Sequence, residues 1–159
     1  MTDDQRERRR RGIGASEAAA VLGLSPFATP ADVWARKLGL VEEPPESDAM
    51  AFGTRVESLI CDWYGESVPG ATLLPAPTES DPGGRPVFAT ADRLVVHIAG
   101  AEPDWLLEAK STRRADEGSG WGDEGTDQVP EHYLVQVAVQ MACTDLDRAD
   151  VAVLDLSAR

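Results

Sequence analysis

The sequence is poor in the residues that build cross-linked or soft-metal proteins. Its two cysteines, Cys61 and Cys143, lie 82 positions apart and neither has a Cys-x-x-Cys partner. That excludes a disulfide framework and a four-cysteine zinc or iron–sulfur site, and makes a reducing compartment the default. His97 and His132 are too few and too isolated for a zinc site and are read as structural. No apolar run approaches the roughly 18 residues of a membrane-spanning helix, and the charged N-terminus lacks the apolar stretch that a signal peptide needs. Positive charge is scarce as well: 15 Lys and Arg face 28 Asp and Glu, a formal net charge of -13. Taken alone, that sign argues against a chain that coats nucleic acid by bulk charge.

What remains is an ordinary globular composition, 42% hydrophobic and 27% charged over 159 residues, which fits one domain with a real core. The charge is uneven. Residues 1–11 carry Arg6, Arg8, Arg9, Arg10 and Arg11 against three acids, a balance of +2, while residues 12–159 hold -15. The expected organisation is a basic N-terminal arm, 1–11, before a single domain, 12–159.

Ser16 reads as the cap of a short helix ending before Gly23. Thr29-Pro30-Ala31-Asp32 opens a second helix, stopped by Gly39. Glu42 to Asp48 is a loop. From Ala49 to Tyr64 a third helix is expected, with Val56, Leu59, Ile60 and Trp63 as its apolar stripe. Trp34, Trp63 and Trp105 are expected in the core. Extended segments follow at Ala71–Leu74, Val87–Thr90, Leu94–Ala99 and Trp105–Ser111, read together as a β-meander and broken by the turn-rich Pro75–Pro86. Residues 112–129 form a glycine-rich loop. A helix from Pro130 to Met141 aligns Tyr133, Gln136 and Gln140, and Ala149–Leu156 closes as a strand. The order gives an α/β fold with a mixed sheet flanked by helices.

The chemistry concentrates in Trp105-Leu-Leu-Glu-Ala-Lys110. Strand alternation puts Leu106, Glu108 and Lys110 on one face and Leu107 and Ala109 on the other. A carboxylate and an ammonium on a sheet-interior strand each need a partner, and a metal ion would partner the carboxylate. Asp92 ends the preceding extended run 16 residues earlier, near enough for a hairpin to bring both acids together. Hard cations such as Mg²⁺ bind through one or two carboxylates and several waters. Asp, spacer, Glu-x-Lys is the signature of the PD-(D/E)XK nuclease superfamily, with Ala91 in place of the proline. On that motif alone, Glu and Lys on a solvated face are the stronger reading.

More of the chain fits. Gly12-Ile-Gly-Ala-Ser16 through Phe27, Thr29-Pro-Ala-Asp-Val-Trp34, Lys37-Leu-Gly39, Met50-Ala-Phe-Gly-Thr-Arg-Val-Glu57, Ala91-Asp92, Leu107-Glu-Ala-Lys-Ser111 and Val129-Pro-Glu-His-Tyr-Leu-Val-Gln-Val137 resemble, in order, the YqaJ-type phage recombinase nucleases, the group containing lambda exonuclease. The resemblance covers roughly residues 9–155.

That resemblance implies a restriction-endonuclease-like core and a Mg²⁺-dependent enzyme, with Mn²⁺ as a substitute, that degrades double-stranded DNA from an end, 5′ to 3′. It implies Asp92 and Glu108 as metal-binding acids, Glu57 as a further acidic ligand, and Lys110 as the residue that orients or activates the attacking water. It implies Arg9 and Ser16 as a phosphate-binding pair, and Gln136 beside the active site. It also implies a phage or prophage gene acting in the bacterial cytoplasm, a single-strand-annealing recombinase as partner, and a homo-oligomer, the ring trimer of the group. Residue by residue, other readings stand alongside. Ser16 could serve only as a cap, Glu57 could be an exposed acid, Arg10 or Arg11 could take the place of Arg9, and Gln136 and Gln140 could form a wet helix face. DNA contact is otherwise left to Lys110, Arg113 and Arg114. Arg93 stands where these nucleases often carry Gly, and Ala138 where a second Gln is common. The chain stops at Arg159 where relatives usually continue, so the expected domain is shortened at its C-terminus. A PD-(D/E)XK endonuclease or nickase, and an inactive DNA-end-binding or interaction module, are the competing functions.

Overall fold

The computed structural model describes residues 3–42, 44–98, 100–113 and 120–157, with only the backbone of residues 3–6. The chain clusters into two compact units that interleave in sequence: 1–45, 78–90 and 130–144 form the first, and 46–77, 91–129 and 145–159 the second.

In the first unit the arginine-rich segment is helical, α1 (Asp3–Arg11). Next come the short β1 (Ile13–Gly14), α2 (Ala15–Val21) and α3 (Pro30–Lys37). Later segments add β3 (Glu79–Ser80), β4 (Val87–Ala89) and α5 (Glu131–Thr144), numbered with their counterparts in the second unit. β4 pairs in parallel with β1 and antiparallel with β3. Gly12 is needed where β1 meets the chain before β4, since a Cβ there would lie 2.8 Å from the Pro86 carbonyl oxygen. The small side chains of Ala15, Ala18, Ala19 and Ala20 are buried, which lets α2 pack closely on α5. Ala15, Ala89 and Cys143 are buried together with Val87 and Val139 against them. Thr29 caps α3 as expected: its Oγ1 accepts from the Asp32 N–H at 3.2 Å, and Asp32 Oδ2 accepts the Thr29 N–H at 2.8 Å.

The second unit is α4 (Asp48–Ser67) against a mixed four-stranded sheet of order β2 (Thr72–Pro75), β5 (Arg93–Val96), β6 (Trp105–Thr112) and β7 (Ala149–Asp155). β5 pairs antiparallel with β2 and β6, and β7 runs parallel to β6. Cys61 of α4 is buried with Val95, Trp105 and Leu107, and Tyr64, Val68, Leu73, Ala109 and Ala152 close around them.

Four expectations are corrected. The extended segments are not one meander, because β4 joins β1 and β3 in a separate sheet. β1 and β3 are two-residue strands, too short to leave a periodic signal. The buried side of α4 is turned by one position from the expected stripe: Ile60 and Cys61 are buried, while Leu59 and Trp63 are 41% and 50% exposed. Trp34, at 59%, is also outside the core, whereas Trp105 is buried. The strand expected to reach Ala99 ends at Val96. Ala99, Arg114 and residues 115–119 of the expected loop lie outside the described residues, and 120–129 contain neither helix nor strand. Among the described residues no helix is long and apolar enough to cross a membrane.

Candidate active site

Glu57, Asp92, Glu108 and Lys110 all belong to the second unit. β6 carries two of them by alternation. Trp105, Leu107 and Ala109 pack toward α4, so Leu106, Glu108 and Lys110 leave from the opposite face. The Glu108 side chain is 4% exposed and pairs with the Lys110 ammonium at 2.5 Å, two residues along the same strand. A buried carboxylate beside a fixed ammonium is thus a feature of β6 alone.

Asp92 lies between β4 and β5, and two backbone bonds hold it to β6. Its N–H donates to the Leu107 carbonyl at 3.1 Å, and its Oδ2 accepts the Ala109 N–H at 2.7 Å. Those bonds bracket Glu108 and bring the two acids together as the hairpin reading expects. Burial, then the charge of Glu108, push the Asp92 carboxyl up to about 7; the Ala109 N–H opposes the shift, Glu57 adds to it, and Lys110 opposes it. Two buried carboxylates that repel one another suit a divalent cation, whose charge relieves the repulsion. In that donor-set sense Asp92 and Glu108 fit a metal.

Glu57 approaches differently. It falls on the helical row of Cys61, Tyr64 and Val68, the side of α4 that meets the sheet face away from Glu108. Its Oε1 lies 3.8 Å from Arg93 Nη1. Among the described residues, no three His, Cys, Asp or Glu side chains are gathered to hold a metal ion. Arg93, passed over in the sequence as a departure at the turn, is therefore the partner of Glu57. A cation directly after Asp92 was the signal available. Cys61, close to these charges, has its thiol pushed up to about 11, chiefly by burial.

Arg9, Ser16 and Gln136 belong to the first unit. Arg9 is half-buried in the last turn of α1, and its carbonyl accepts from Lys37 Nζ at 2.5 Å. The same ammonium pairs with Glu17 Oε2 at 2.6 Å, and that oxygen accepts the Gly14 N–H at 3.0 Å. Gly14 is the N-cap of α2, which corrects the reading of Ser16 as the cap: Ser16 is the second residue of the helix and is exposed. Gln136 is half-buried on α5. Gln140 does not belong to a wet face; it is fully buried, and its Nε2 donates to the Thr90 carbonyl at 3.0 Å. Arg113 is exposed at the end of β6.

The arrangement matches known proteins in fold and in sequence. The chain is similar in structure to an alkaline exonuclease from Laribacter hongkongensis, with a TM-score of 0.67, 20% identity, and coverage of 98% of this chain and 75% of that one. It is similar to the same exonuclease in complex with dAMP at a TM-score of 0.68, again with 20% identity and the same coverage. This places the fold among restriction-endonuclease-like α/β cores. In sequence it is 31% identical over 130 residues to the uncharacterized protein YqaJ of Bacillus subtilis (strain 168), matching 81% of this chain but spanning only 38% of that relative. Residues 5–147, which include Glu57, Asp92, Glu108 and Lys110 in the expected order, match the YqaJ-like viral recombinase domain, and the chain belongs to that family.

Proposed function

We propose that this domain is a divalent-metal-dependent DNA exonuclease that hydrolyses duplex DNA from an end, 5′ to 3′, with Mg²⁺ as its metal and Mn²⁺ as a substitute. The observation that carries the reading is the hydrogen bond from the Ala109 N–H to Asp92 Oδ2, next to Glu108 on β6, with Lys110 ion-paired to Glu108. Asp92 and Glu108 would hold the cation, which supplies Lewis acidity toward water and charge shielding at the scissile phosphate.

The chain's own residues do the rest. The Ala109 N–H fixes the Asp92 carboxylate through Oδ2, so the acid needs no reorganisation on binding. Lys110 holds a positive charge beside Glu108, and turned to the scissile phosphate it would steady the developing charge and orient the attacking water. Arg9 and Ser16 take the phosphate-binding role, and Gln136 the place beside the active site, that the family resemblance assigns to them. The same reading extends to residues 12–159 acting as one catalytic domain, to a ring-type homo-oligomer, to a single-strand-annealing recombinase as partner, and to phage-type recombination in the bacterial cytoplasm. Two acids of the net -13, Asp92 and Glu108, would then face a bound cation, so DNA binding is expected to be weak, salt-sensitive and metal-dependent.

Incubation with 5′-labelled linear and covalently closed duplex DNA plus Mg²⁺ tests the proposal. Release of mononucleotides from linear DNA only is the expected result. Cutting of closed circles would favour an endonuclease or nickase. No cleavage of either, with binding to ends retained, would favour an inactive end-binding module.

A further inference from the structure

Arg93 opens β5 opposite Leu107 of β6 and Pro75 of β2. Cross-strand partners share a face, and Leu107 faces α4, so Arg93 also points to the α4 side. Its Nη1 donates to the Asp92 carbonyl at 2.6 Å, which anchors the guanidinium. From there the same nitrogen lies 3.8 Å from Glu57 Oε1. The Arg93 side chain is 28% exposed, enough enclosure to limit its rotamers. We propose that Arg93 is a positioning residue: it holds Glu57 on the far side of the sheet end as an internal counter-cation, and so sets how tightly the site takes up divalent metal.

The inference rests on the reading of Asp92 and Glu108 as metal-binding acids. Its logic is charge. In their ionised forms Glu57, Asp92 and Glu108 contribute three negative charges, and Lys110 and Arg93 two positive ones, so these five side chains leave a single net negative charge for an incoming cation. Removing Arg93 would double that charge, a through-space effect that solvent screens, and would free the Glu57 carboxylate, whose present partner is on the same helix-facing side as itself, to reach the cation, which is the larger effect. A divalent cation feels both changes in the same direction. Arg93 would thus keep resting metal affinity low and leave Glu57 to be recruited only when another group displaces the guanidinium.

The test measures Mn²⁺ binding to the full chain without DNA, by electron paramagnetic resonance titration, in wild type, Arg93→Gln, Arg93→Lys, Glu57→Gln, the Glu57→Gln/Arg93→Gln double variant and Glu108→Gln. Thermal melting confirms that each variant is folded. Arg93→Gln should bind Mn²⁺ roughly three- to tenfold more tightly, Arg93→Lys should stay near wild type, and in the Glu57→Gln background the gain should shrink to under roughly twofold. Unchanged or weaker binding in Arg93→Gln, or equal gains with and without Glu57, overturns the role of Arg93 while leaving the metal site standing. Retention of tight Mn²⁺ binding in Glu108→Gln overturns the metal site itself and the inference with it. Should Arg93→Gln unfold, Arg93→Lys and Glu57→Gln still decide: with Arg93 left unpaired, Glu57→Gln must weaken Mn²⁺ binding, and an increase overturns the proposal.

Discussion

Asp92 Oδ2 accepts the Ala109 N–H at 2.7 Å, one residue beyond Glu108. The acid that precedes β5 is therefore placed by the backbone of β6, and side-chain rotamers alone do not set the distance between the two carboxylates. Because that bond also survives in an amide, it allows charge and geometry to be separated at this position.

The first prediction uses that separation. Burial and the Glu108 charge push Asp92 up to about 7 in the folded chain, against about 3.9 unfolded. Folding then takes up a proton between those values, so the group's contribution favours the folded state at low pH and is lost as pH rises through 7. With chelator present, the melting temperature should fall between about pH 5 and 7.5. Asp92→Asn should flatten that slope and melt higher than wild type at the upper pH, and Mg²⁺ should raise the wild-type value but not that of the variant. Calorimetry across the range decides it; an unchanged slope in the variant would assign the pH dependence to other groups.

Ser16 offers a clean separation of two roles. Gly14 caps α2 and Ser16 is exposed inside its first turn, so Ser16→Ala should change stability by less than about 0.5 kcal/mol, not the roughly 1 kcal/mol of a lost cap. A phosphate contact would instead appear as an approximately tenfold loss in affinity for a 5′-phosphorylated duplex end. Urea denaturation and fluorescence anisotropy report the two effects independently.

Tyr64 joins α4 to two strands. Its hydroxyl donates to Asp150 Oδ2 at 2.5 Å and accepts from Trp105 Nε1 at 2.9 Å. Tyr64→Phe leaves the buried indole N–H without that partner and should cost about 1–3 kcal/mol. Nuclease activity well below the melting temperature should stay close to wild type.

Lys37 is the corresponding fixture of the first unit. Its ammonium serves the Arg9 carbonyl and the Glu17 carboxylate, and both side chains of that ion pair are about one-sixth exposed. Lys37→Met would strand a partly enclosed Glu17 and should destabilise by about 3 kcal/mol. The double charge swap, Lys37→Glu with Glu17→Lys, should recover only part of that loss, because an acid at position 37 has nothing to offer the Arg9 carbonyl.

The legible parts of this fold are those whose signal is local. The Thr29, Pro30 and Asp32 cap and the alternation of β6 specify their geometry within a few residues, the Asp92 to Glu108 spacing does so across one hairpin of 16 residues, and each stands where expected. The α4 face was harder. Leu59 and Trp63 satisfy a helical apolar period as well as Ile60 and Cys61 do, and only tertiary packing decides which row turns inward. The sheet partners of β4 were hidden because Ile13–Gly14 and Glu79–Ser80 are too short for any period. Ser16 was misread because a serine two residues past the true cap looks the same as a capping serine, while Glu17, reaching back to Gly14, performs the cap from the other side. The Arg93 to Glu57 pair crosses from strand to helix, and no spacing rule links positions 36 apart.

The interleaving of the two units has a practical corollary for dissecting the protein. Each is assembled from three separate stretches of chain, so no single deletion or nested truncation yields either one intact. The stretch boundary between Thr90 and Ala91 falls immediately ahead of Asp92. A fragment library cut at contiguous boundaries would therefore sever the acid from the hydrogen-bonded β6 backbone or carry along pieces of both units. Point substitution or permutation of the termini, and not excision, is the route by which the contribution of each unit can be measured.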